Sequence, residues 1–169
     1  MDIDINDVLN EPIERKIVSE NFLIRTKDTA NLTTLNTNFS VRYTLPATIN
    51  ITKVELVQAT IPYLYNSNFG ANTLGPQACF IKINNIDHNI RSSILTNFNF
   101  YVPTLNATNS SDTRLTFNNI NSFDNKFELN KSVMLNYLEI SIYDDSGNLW
   151  AYAGSYPDWT IILKITYFK

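Results

Sequence analysis

The chain has 169 residues, of which 44% are hydrophobic and 12% aromatic, and it carries a formal net charge of −3. That length and apolar content supply one domain with its own core and exclude a disordered chain. The 13 Lys and Arg are spread without a cluster, so the basic face that nucleic-acid binding needs is missing, and nucleic acid is not an expected partner.

In chain order, residues 1–16 are acidic, contain Pro12 and show no strand alternation, and they read as a short N-terminal arm ahead of a single domain spanning 17–169. No basic-then-apolar start resembles a signal peptide, and no apolar run approaches the length that crosses a bilayer. The expectation is a soluble, cytosol-made chain without a membrane span. A first strand is predicted over 17–24, followed by a polar loop over 26–38. Over 39–46, Phe39, Val41, Tyr43 and Leu45 point one way and Ser40, Arg42 and Thr44 the other, the period-2 pattern of a half-buried strand. A second strand over 51–62 ends at Ile61-Pro62, and an aromatic loop with Tyr63, Tyr65 and Phe69 follows.

Further strands are predicted over 79–84, with Ile81 and Ile83 on one face, and over 98–102, with Phe98, Phe100 and Val102 sharing a face. Leu115 with Phe117, and Phe127 with Leu129, mark two shorter edge or hairpin strands. Leu138, Ile140 and Ile142 alternate with Glu139 and Ser141, and the turn at 144–148 leads toward a last strand over 160–168. There Ile161, Leu163, Ile165 and Tyr167 share one face, while Ile162 and Phe168 on the other imply partial cover on both sides. No apolar periodicity of 3.6 persists for three turns, so the predicted class is all-β: about eight antiparallel strands in a β-sandwich, with the single jelly roll as the leading topology. Asn makes up about one residue in seven and falls largely between apolar runs, as turn chemistry.

Catalytic signals are absent. The one histidine, His88, stands beside Asp87 in a polar turn, and sequence neighbours do not face each other as a triad requires. Asp144, Asp145 and Gly147 look superficially like a calcium loop, but the spaced acids and terminal Glu are missing, which leaves a hairpin turn. The chain has only four glycines and no glycine-rich phosphate loop; Gly70 and Gly75 are followed by Pro76-Gln77 and not by Lys and Ser or Thr. The lone Cys79 lies in an apolar stretch, cannot pair within the chain, and fits a reducing compartment. No enzyme, cofactor or metal is expected. The aromatics Tyr63, Tyr65 and Phe69, and Trp150, Tyr152, Tyr156 and Trp159, are candidate contacts at loop tips. Three readings stand for them: packing over the ends of the sandwich, a subunit interface, or a ligand-stacking platform.

The strand over 39–46, the segment Val54-Glu55-Leu56-Val57-Gln58-Ala59-Thr60-Ile61-Pro62 with Tyr65-Asn66 after it, the hairpin over 138–149, Gly154 and the strand from Trp159 to Tyr167 carry a resemblance. Together they resemble the single jelly-roll penton (minor capsid vertex) proteins of virophages, Polinton-like viruses and nucleocytoplasmic large DNA viruses, over roughly residue 17 to the end. Arg25-Thr26-Lys27-Asp28 matches the family's acidic-and-arginine turn only in part. The resemblance implies a structural protein of the virion: a homopentamer at the icosahedral vertex, made in the host cytoplasm and neighboured by a double jelly-roll major capsid protein. The alternative is a carbohydrate- or receptor-binding β-sandwich head, which would also use the aromatics and the Asn-rich loops.

Overall fold

The computed structural model describes residues 15–28, 30–35, 38–62, 78–87, 97–103, 114–118, 126–150 and 158–169. Every regular element among them is a strand: β1 (Ile17–Arg25), β2 (Leu32–Thr34), β3 (Ser40–Pro62), β4 (Ala78–Ile83), β5 (Phe100–Pro103), β6 (Arg114–Asn118), β7 (Lys126–Asp144) and β8 (Thr160–Phe168). All pairings are antiparallel. The strands form one strongly curled sheet in the order β1-β8-β3-β7-β4-β5, with β2 and β6 also paired to β3.

Two long strands create the curl. The expected strands over 39–46 and 51–62 are a single strand of 23 residues, β3, and β7 runs for 19. Between Thr44↔Tyr137 and Ile49↔Leu135, β3 spends residues 45–48 against Asn136 alone; between Ile51↔Val133 and Lys53↔Glu128, β7 spends residues 129–132 against Thr52 alone. Each excess bends its strand and increases the local twist. Pro46 sits in the first irregularity, where no ladder bond is asked of its missing N–H.

The concave side of the curl holds the core. Val41, Ile51, Val54, Leu56, Ile61, Ile81, Ile83, Leu138, Ile140, Ile142, Ile161, Leu163 and Ile165 are all fully buried there. The period-2 reading of β3, β7 and β8 therefore holds: in β8, Ile161, Leu163, Ile165 and Tyr167 are buried while Lys164 is exposed. Cys79 is a core residue, and burial, with Asp144 adding to it, pushes its thiol well above the usual range.

Three further expectations need correction. The loop over 26–38 contains β2, too short to show alternation. β6 and the start of β7 do not pair with each other; both pair with β3, which takes Lys126–Glu128 beside Lys53–Glu55 and β6 beside Gln58–Pro62. Phe98 does not share the core face with Phe100 and Val102. Asn97 takes a positive φ of 36°, and Asn99 turns inward, its Oδ1 accepting from the Ile83 N–H at 2.7 Å and its Nδ2 donating to the Asp87 carbonyl at 2.8 Å. An amide side chain thus replaces a ladder partner, and Phe98 swings to the outer face.

Candidate functional site

The outer faces of β4, β5 and β7 carry an aromatic patch. Phe80 pairs with Tyr101 on one side and Tyr143 on the other, so the three rings form a row across three strands. Phe98, 1% exposed, stacks on Phe80 with centroids 4.5 Å apart and is tilted against Tyr143 at 6.2 Å. Phe80 and Tyr101 stand 5.5 Å apart. Phe80, Tyr101 and Tyr143 remain half-buried, and the two tyrosines combine apolar area with a polar tip, a combination enriched in protein interfaces.

Toward the other end of the same face the surface turns polar. Ser40 and Ser141, both buried, face each other at 3.2 Å, and Asn84 Nδ2 donates to Ser141 Oγ at 3.0 Å. One row further, Arg42 donates to Glu139 at 2.7 Å and lies 4.5 Å from the centre of the Tyr137 ring. The turn after β4 stands in as an extra strand end: Asn85 Nδ2 donates to the Tyr137 carbonyl at 2.8 Å, and its Oδ1 accepts from the Glu139 N–H at 3.1 Å. Beside it an open cleft of about 480 Å³ lies between residues 84–87 and the bulged part of β7, with Lys131 and Ser132 on its far wall. Asn85 is committed to the β7 backbone, so the described lining offers the cleft the Asn84 amide, the Ser132 hydroxyl and the charged groups of Asp87 and Lys131.

The sequence candidates fall in two groups. Trp150 and Trp159 lie inside the fold, 4% and 0% exposed, and each indole N–H donates to a backbone carbonyl: Trp150 to Pro62 at 2.9 Å, Trp159 to Asn38 at 2.6 Å. Both follow the packing reading in this chain. Tyr63, Tyr65, Phe69, Tyr152 and Tyr156 lie outside the described residues, as does His88. The aromatic row of Phe80, Tyr101 and Tyr143 is the surface that sequence reasoning passed over. Its signal was an aromatic on the non-core face of each of three strands.

The turn after β7 uses its acid structurally. Asp144 Oδ1 accepts from the N–H groups of Ser146 at 2.9 Å and Asn148 at 2.8 Å, and Gly147 supplies a φ of 89°. Among the described residues no three His, Cys, Asp or Glu side chains group together to hold a metal ion, and no helix is long and apolar enough to cross a membrane. Compared with protein-family models and with curated proteins, the chain matches none. What the surface offers is contact chemistry: a half-buried aromatic row grading into a polar, partly charged field.

Proposed function

We propose that this protein is a structural capsid component that assembles as the homopentameric vertex of an icosahedral DNA virus or virophage. The observation that carries the reading is the order of pairing. Divided at their irregularities, β3 and β7 each contribute to both wings of the curl. First then pairs with last, β1 with β8; the first half of β3 pairs with the second half of β7; the second half of β3 pairs with β6; and β4 pairs with β5. This nested pairing gives two four-strand groups, β1-β8-β3-β6 and β3-β7-β4-β5. It is the order of a long hairpin rolled on itself, which supports a jelly roll. It agrees with the likeness of residues 39–62 and 138–167 to single jelly-roll penton proteins.

A closed ring needs two different, complementary patches on every subunit, with aromatic-bearing centres and polar rims. The row of Tyr101, Phe80 and Tyr143 is a patch of that kind. The sugar-binding alternative drew on seven aromatics as a stacking platform; two of them, Trp150 and Trp159, are interior, and the other five lie outside the described residues. Light scattering over a concentration series, with electron micrographs of the same fractions, tests the proposal: five-fold rings, alone or on adding the major capsid protein, are the expected result, and a monomer under both conditions would count against it.

A further inference from the structure

The edge of β7 that faces β4 is filled over only part of its length. β4 pairs with it from Asp144 to Ile140 and ends at Ile83. The turn that follows carries the ladder one step further: the Asn84 N–H donates to the Glu139 carbonyl at 2.7 Å, and the Asn85 side-chain amide reaches from the Glu139 N–H to the Tyr137 carbonyl. Among the described residues no strand lies on this edge beyond Tyr137, while β3 covers the opposite edge from Leu135 to Val133. Alternate residues of a strand turn their N–H and C=O groups to opposite edges, so part of the backbone over 131–136 faces the space that β4 leaves. That space is the open cleft of about 480 Å³, bounded by the turn over 84–87 and by the bulged part of β7, with Ile86, Leu129 and Val133 as its apolar lining.

We propose that this cleft takes an extended segment of a second protein as an added strand, antiparallel to β7, with a cationic residue at its start and an anionic one at its end. The backbone selects the class of occupant, because a sheet edge of alternating N–H and C=O groups is matched by extended polypeptide. The turn selects its form. Residues 84–87 continue β4 and so stand in line with any added strand; the slot is closed at that end and admits a short segment, not the long edge of a second folded copy. From Lys131 to Asn136 β7 runs five residue steps, about 17 Å, which an extended segment of about six residues spans. Charge selects direction. An antiparallel strand here keeps the direction of β4, so it starts beside Asp87 and ends beside Lys131, two exposed side chains of opposite sign on opposite sides of the cleft. This inference stands independently of the vertex reading.

Calorimetric titration of the full chain with three end-blocked hexapeptides tests it: Lys-Val-Thr-Val-Thr-Glu, the same peptide with Lys and Glu exchanged, and the first peptide with alternate backbone amides N-methylated. The first is expected to bind and to slow hydrogen exchange of the β7 amides over 131–136. The charge-exchanged peptide should bind about tenfold more weakly, and the N-methylated one not at all. Asp87→Lys with Lys131→Glu, two exposed positions, should reverse the preference between the first two peptides at an unchanged melting curve. Lys131→Gln alone should weaken the first peptide more than the second. No binding of the first peptide at about 1 mM, equal affinity for both charge orders, or equal binding of the N-methylated peptide would each overturn the assignment. So would a dimer of the free protein that the first peptide dissociates, since the slot would then belong to a second copy.

Discussion

The indole N–H of Trp159 donates to the Asn38 carbonyl across 2.6 Å, and the Trp159 backbone exchanges hydrogen bonds with Thr26 through its N–H to Thr26 Oγ1 at 3.1 Å and its carbonyl from the Thr26 N–H at 3.2 Å. One fully buried residue thus ties the entry of β8 to the exit of β1 and the entry of β3. Trp159→Ala is expected to cost about 3–5 kcal/mol and Trp159→Phe, which keeps most of the volume but orphans the carbonyl, about 1–2 kcal/mol. Urea midpoints measured by circular dichroism separate the two.

The hydroxyls of Ser40 and Ser141 form a buried pair whose members are not independent. Removing Ser141 takes this partner from Ser40 and also frees the Asn84 amide, whereas Ser141 keeps the Asn84 amide when Ser40 is removed. Each single change to Ala should cost about 1 kcal/mol, and the double change less than the sum of the singles. A double-mutant cycle in urea reads the coupling, and strict additivity would show that the two do not interact.

Alkali should weaken the fold. Burial raises the pKa of Cys79, with Asp144 adding to it, and burial also raises Tyr167 and Tyr43. A raised acid is protonated in the folded state at a pH where the unfolded chain has already ionised. The stability it contributes is full below the ordinary values of 9.0 for the thiol and 10.0 for the phenols, and falls as pH rises past them. Cys79→Ala should flatten the part of that decline that begins near pH 9.0, seen as melting temperature against pH. The thiol should also resist alkylation until the chain unfolds.

The Arg42–Glu139 pair is short at 2.7 Å, yet Arg42 is exposed. Water and salt screen such pairs, so Glu139→Gln should change stability by less than about 1 kcal/mol, an effect that shrinks further in high salt. A larger loss would mean that the stacking of Arg42 on Tyr137 depends on the carboxylate.

If the aromatic row forms one side of a ring contact, Tyr101→Glu should abolish rings while the monomer keeps its spectrum and melting curve. Arg42→Glu, at the polar end of the same face, should be milder. Sedimentation velocity on both variants distinguishes a local contact from a general loss of charge balance.

Alternation was legible wherever one side of a strand met the core. Phe39, Val41, Tyr43 and Leu45, then Leu138, Ile140 and Ile142, are all buried as their spacing predicts. The continuity of β3 was not legible, because Pro46 reads as a strand end and its tolerance depends on a bulge formed against Asn136, some ninety residues away. Phe98 was misplaced because a local pattern carries no record of the positive φ at Asn97 or of the inward turn of Asn99. The tryptophans were ambiguous for a related reason: a ring beside Gly and Pro looks like a loop tip until its carbonyl partner is known, and Pro62 and Asn38 are distant in sequence. The aromatic row was the least legible, since Phe80, Tyr101 and Tyr143 come together only through pairing of β4, β5 and β7.

The seat of β8 sets the order in which the sheet can close. Among the described strands β8 lies between β1 and β3, so until those nine residues are seated β1 has no neighbour and one flank of β3 stands open. Closing the sheet joins residues 17–25 to residues 160–168, a pairing of long sequence separation, which is a slow route. A stop codon before Thr160 would therefore remove a central stave and leave two exposed edges, the condition that invites aggregation.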